Sequence, residues 1–176
     1  MLNKKLWFGI LVIVSVVGMV FTACDNDGNA IWSGVTTFSQ LNGTWKSPPT
    51  ANYNYQGINY LIKYNNYLIT INSTNKTMSA SGTTATTLSG VDINTKWESI
   101  KQSFGSMPNG ISVSFNDVSH IITMTYNNYS ETLTDNEITE MINGCKINQN
   151  GTEFKMSMGF GFGTWMGVEL IFSKVN

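Results

Sequence analysis

Few side chains in this sequence could carry chemistry, and their spacing shortens the list further. His120 is the only histidine, so a metal site built from several histidines cannot be assembled. It shares strand parity with Ile122 and Met124, which lets it face inward or sit hydrogen-bonded on a rim. Cys145 has one basic neighbour, Lys146, and reads as a small buried apolar residue in preference to a reactive thiol. The carboxylates Glu131, Asp135, Glu137 and Glu140 gather in one stretch, yet nothing marks a glycosidase pair. No nucleophile elbow, phosphate-binding glycine loop or zinc helix motif occurs. Cys24 is different. It follows Lys4 and Lys5, an uncharged run from Leu6 to Phe21, and the small residues Thr22 and Ala23. That order is an export signal ending on a cysteine.

Phe21-Thr22-Ala23-Cys24 resembles a bacterial lipobox, with Phe21 where a branched aliphatic residue is usual. The resemblance implies a signal peptide over residues 1–23. It also implies a Cys24 thiol that receives diacylglycerol, further acyl chains such as palmitate, and a new N-terminus at that cysteine. Two acyl chains hold a protein stably at a membrane where one does not. The alternative is an uncleaved anchor, although Leu6 to Phe21 is shorter than the roughly 20 residues a span needs. Either reading exports the chain and fixes it to the inner or outer membrane of a cell envelope. Residues 24–40 then form a flexible tether. Asp25 to Asn29 superficially suggests a calcium loop, but the closing glutamate is missing.

Residues 41–176 fit one domain. The chain has no arginine and its lysines are outnumbered by acidic residues, which removes the basic footprint nucleic acid requires. With Cys24 acylated no disulfide can form, so stability must come from packing. Richness in Asn, Thr, Ser and Tyr leans towards β structure and turns.

Period-2 alternation dominates after Leu41. Tyr67, Ile69 and Ile71 share a face, as do Ile111, Val113 and Phe115, then Ile122, Met124 and Tyr126. Phe154, Met156, Met158 and Phe160 follow, and Val168, Leu170 and Phe172 end the series. One apolar and one polar face describe antiparallel sheet wetted on one side. Tyr64-Asn65-Asn66-Tyr67 and Tyr126-Asn127-Asn128-Tyr129 fit two-residue hairpin turns, since Asn tolerates positive φ. Asn150-Gly151 is a stronger signal of the same kind. Trp97, Ile100 and Phe104 predict a short helix over Asn94 to Phe104, and Thr95 and Glu98 resemble a capping box. Thr134 and Glu137 open a weaker helical turn over 135–143, closed by Gly144. The pattern predicts an all-β fold: an antiparallel meander of about eight to ten strands, closed into a barrel that removes exposed edges.

The segment Leu41-Asn42-Gly43-Thr44-Trp45-Lys46 resembles the first strand of a lipocalin, which begins with Gly-x-Trp. Leu170 to Lys174 resembles the last strand of small bacterial lipoproteins carrying such a domain. This likeness implies a lipocalin-like (calycin-type) barrel whose closed end is plugged by Trp45, with Gly43 admitting the chain. Neither the family's middle Thr-Asp-Tyr motif nor its late arginine is present; Lys174 is the candidate substitute over Trp45.

The functional expectation is an anchored protein without catalytic residues, metal or cofactor, binding a small apolar or amphipathic ligand. Phe115, Met124, Tyr126, Met156 and Met158 are the candidate interior, which is equally an ordinary core. Gly159 to Trp165 reads as a lid over a barrel mouth or as a wide turn. The rival function is a surface interaction protein that recognises a host or envelope protein through Asn/Tyr-rich loops.

Overall fold

A computed structural model describes residues 31–55, 57–158 and 168–175. In chain order the elements are β1 (Trp32–Gly34), a 3-10 turn (Phe38–Leu41), β2 (Gly43–Lys46), β3 (Thr50–Tyr55), β4 (Ile58–Asn72) and β5 (Thr77–Gly90). Helix α1 (Ile93–Ser103) leads to β6 (Ile111–Asn116) and β7 (Ile121–Thr132). Helix α2 (Asp135–Asn143), β8 (Cys145–Asn148), β9 (Glu153–Met158) and β10 (Val168–Lys174) complete the chain. The fold is antiparallel β throughout, with two helices, as the alternation predicts. Helix α2 opens on the expected capping box: Thr134 N–H donates to Glu137 at 2.7 Å, and Glu137 N–H donates back at 3.4 Å. Helix α1 begins at Ile93 after Asp92, so Thr95 and Glu98 form no cap there.

The meander and the closure do not stand. The sheet runs β1-β8-β9-β10-β2-β4-β5-β7-β6, with β3 paired to β4 beside β2. Helix α1 carries the chain past the position next to β5, and β7 returns to fill it, so β5 and β6 are not neighbours. Among the described residues no ladder joins β1 to β6, the two ends of the strand order. The sheet is open.

Its inner face is nevertheless deeply packed. Trp45, Phe154 and Phe172 have no exposed surface. Trp45 on β2 and Phe154 on β9 are separated by β10, yet their rings meet at 4.8 Å. Next-but-one strands lie about 10 Å apart, so the two side chains reach over β10 towards each other. Burying each phenylalanine contributes about 2–3 kcal/mol. A second cluster lies under α1, where Trp97 and Ile100 pack on Ile58, Tyr60, Leu88 and Ile122.

Two bulges, which bend the strands that carry them, lie near the meeting of the two clusters. Both Tyr-Asn-Asn-Tyr segments lie inside continuous strands, not in hairpin turns. Asn65 pairs with Thr83 and Leu68 with Ser81, so β4 carries one extra residue there. Tyr129 pairs with Ala80 and Tyr126 with Gly82, so β7 carries another. Asn66 (φ 49°) and Asn128 (φ 55°) absorb these bulges. On the far side of β4 the irregularity continues as Ser47-Pro48-Pro49, where β2 ends and β3 has not begun. Ser47 N–H still reaches the Tyr67 carbonyl, and Tyr64 N–H the Pro49 carbonyl, at 3.2 and 2.9 Å.

Gly82 sits between the two bulges. Its φ is +104°, and a Cβ there would stand 2.2 Å from the Asn66 carbonyl oxygen. Gly82→Ala is therefore expected to destabilise the protein by about 3 kcal/mol, read as a lowered urea midpoint. Gly34→Ala, where a Cβ meets nothing within 4 Å, serves as the control.

Candidate functional site

The bend brings tyrosines together on the inner face. Tyr53 from β3 stacks on Tyr60 of β4, with centroids 4.4 Å apart and planes 8° from parallel. Tyr64 and Tyr67 flank the β4 bulge at 5.7 Å, and Tyr67 meets Tyr126 of β7 edge-on at 5.0 Å. An extra residue between them makes positions three apart share a face, where an unbroken strand would oppose them. Tyr53 and Met124 pack against both clusters, whereas Tyr64, Tyr67 and Tyr126 belong to the Trp45 cluster and Tyr60 to the one under α1.

The hydroxyls differ in their commitments. Tyr67 is hydrogen-bonded to Tyr126, and the Tyr126 hydroxyl lies 4.0 Å from the Met124 sulfur. Tyr129 donates to the Glu131 carboxylate at 2.7 Å. The Tyr64 hydroxyl is buried with no hydrogen-bond partner among the described residues. Burial, followed by nearby phenols, pushes the ionisation of Tyr53, Tyr64 and Tyr67 well above the usual phenol range. Burial pushes Tyr126 up to about 12 against the smaller opposing effect of its bond with Tyr67. These phenols stay neutral, offering aromatic surface and hydrogen-bond donors.

The residues singled out by sequence do not all converge here. Met124 and Tyr126 do. Phe115 lies under α1, 6.2 Å from Trp97 and 5.6 Å from Phe104. Met156 is fully buried in the Trp45 cluster. The Met158 side chain, Cys24 and the Gly159 to Trp165 loop lie outside the described residues. Tyr53, Tyr60, Tyr64 and Tyr67 escaped sequence reasoning as site residues. Their signal was the repeated tetrapeptide with tyrosines at odd spacing.

The other chemistry-bearing groups have structural employment. Burial pushes the Cys145 thiol up to about 12, which holds it protonated. Asp135 pairs with Lys76 at 2.7 Å. His120 closes the β6–β7 turn at φ 49° with its ring 5.1 Å from Trp97. Asp117 accepts from both Lys101 and Trp97 Nε1 at 2.8 Å; these bonds hold its carboxyl below the usual range. At the opposite end of the sheet, Lys174 Nζ stands 5.2 Å from the Trp45 ring centroid. The Trp45 indole donates to the Leu41 carbonyl at 2.7 Å. A Cβ on Gly43 would meet Lys174 Cε at 3.0 Å, so the glycine leaves room for that lysine stem. No family model matches the chain, and no curated protein or solved structure gives a significant match.

Two measurements follow from the hydroxyls. Tyr64→Phe is expected to leave stability unchanged or raise it by up to about 1 kcal/mol, because an unsatisfied buried donor is removed. Tyr129→Phe breaks a bond to a carboxylate and is expected to cost about 1.5 kcal/mol. Alkaline titration followed by phenolate absorbance supplies the second. The stability due to raised tyrosines is fully present below the unfolded value of about 10 and is lost as pH rises towards the folded values. The buried phenols should therefore ionise late and together with unfolding.

Proposed function

We propose that this protein is an exported, membrane-anchored binding protein, held at the cell envelope by a diacylglycerol-modified Cys24. Its β domain binds a small amphipathic molecule against the tyrosine-lined bend and performs no catalysis. One observation carries the binding reading: a buried Tyr64 hydroxyl among aromatic rings, with no hydrogen-bond partner among the described residues. An unmade buried hydrogen bond costs about 1–3 kcal/mol, which an oxygen-bearing ligand recovers. In this reading the domain is an open counterpart of the lipocalin barrel. The Trp45 end is filled, and among the described residues no ladder joins β3 to β10, although the two strands approach each other beside β2.

A separate observation favours the surface-interaction reading. Val91 and Val118 are 98% and 94% exposed. They occupy turns at the end of the sheet away from Trp32, where the tether enters, because Trp32 pairs with Asn148 beside the β8–β9 turn. A recognition tip there would point away from the membrane.

Native mass spectrometry of the protein extracted gently from membranes tests both parts. The expected result is a thioether-linked diacylglycerol at Cys24, absent in Cys24→Ser, together with a small molecule lost on unfolding. A bare protein with no uptake of offered amphiphiles contradicts the binding reading and favours the exposed valine tips.

A further inference from the structure

The residues around the bend also define what kind of amphiphile fits, provided the ligand-binding reading holds. We infer that the ligand is uncharged, with an apolar body and an oxygen that accepts a hydrogen bond from Tyr64.

Charge placement supplies the first argument. Strand alternation sends Lys63 outward between Ile62 and Tyr64, and likewise Lys46 beside Trp45 and Lys146 between Cys145 and Ile147; all three are exposed. Lys155 lies on the same outer side, over the Trp32 ring at 4.4 Å and 3.5 Å from Glu169. Lys174 lies over Trp45 at the other end, Lys76 is bound to Asp135, Lys96 lies by Asp92 and Lys101 is bound to Glu98 and Asp117, and the chain has no arginine. A carboxylate or phosphate entering the bend would therefore give up its water for phenols alone. Burying an anion without a cation is strongly unfavourable.

Donor and acceptor supply makes the second argument. Tyr67 and Tyr126 are engaged with each other, and Tyr126 with Met124. Glu131, the carboxylate on this face, is occupied by Tyr129. Tyr64 is left holding a proton with nothing among the described residues to receive it, and burial keeps that phenol neutral far into alkaline pH. Its ring is partly exposed while its hydroxyl is buried, so an ether, ester or hydroxyl oxygen that accepts from it must enter between the rings. A cationic head group would find aromatic faces but would leave the Tyr64 proton unsatisfied.

The test uses three probes sharing one acyl or alkyl chain length: monolaurin (neutral), laurate at pH 8 (anionic) and dodecyltrimethylammonium (cationic). Each is titrated below its micellar concentration into the full-length protein, with tyrosine and tryptophan emission as readout. Monolaurin should bind at least roughly tenfold more tightly than either ion, and Tyr64→Phe should weaken monolaurin roughly five- to tenfold while leaving the ions unaffected. Laurate or the ammonium binding as tightly as monolaurin overturns the inference and leaves the ligand-binding reading intact, as does an unchanged monolaurin affinity in Tyr64→Phe. Binding of none of the three overturns both.

Discussion

The inner face of this domain depends on one inserted residue in each of two strands. Side chains along a strand alternate strictly, so Ile58, Tyr60 and Ile62 on β4 should oppose Tyr67, Ile69 and Ile71. All six are buried on one face, because the bulge at Asn66 resets the parity. On β7 the bulge at Asn128 does the same, carrying Ile122, Met124 and Tyr126 onto the face of Tyr129. Between them β5 keeps one parity from Met78 to Leu88. Only glycine at position 82 lets the backbones approach closely enough. The shared inner face of the two clusters and the tyrosine group on it follow from this alignment.

The alignment also explains what was legible beforehand. Alternation located the second half of β4 and strands β6, β7, β9 and β10, and the capping residues around Thr134 placed α2; β1, β3 and the Thr- and Ser-rich β5 show no alternation of large apolar residues and were not legible. Strand order was not legible. Alternation says which side a residue faces and nothing about which strand lies alongside, so β7 displacing β6 from beside β5 left no trace in the pattern. The Asn-Asn pairs were ambiguous for a physical reason: positive φ at Asn serves a two-residue turn and a bulge equally well. The distinguishing clue was the parity change across each pair, from Ile62 to Ile69 and from Met124 to Tyr129. Phe115 and Met156 share a face but sit in different clusters, and face alone cannot reveal that.

A bend that gathers tyrosines imposes its own chemistry. Desolvation suppresses ionisation of every phenol there, so the surface offers rings and neutral hydroxyls but no fixed charge. Three phenols settle their protons locally, Tyr67 on Tyr126, Tyr126 towards Met124 and Tyr129 on Glu131. Tyr64 does not. The opposite end shows the contrasting solution, in which Trp45 is sealed by Leu41, Phe154 and Lys174 and no buried donor is left over among the described residues. One end of the inner face is finished as a plug, and the middle is left unsatisfied.

The most direct test of this account is deletion of Asn66. If the tetrapeptide is a bulge that sets parity, removing one residue turns half of β4 inside out. The protein should then lose cooperative unfolding, or several kcal/mol of stability, with its tyrosines ionising near the ordinary phenol range. If the deletion is tolerated, with an unchanged unfolding midpoint and late-ionising tyrosines, the segment is a dispensable loop and the account is wrong.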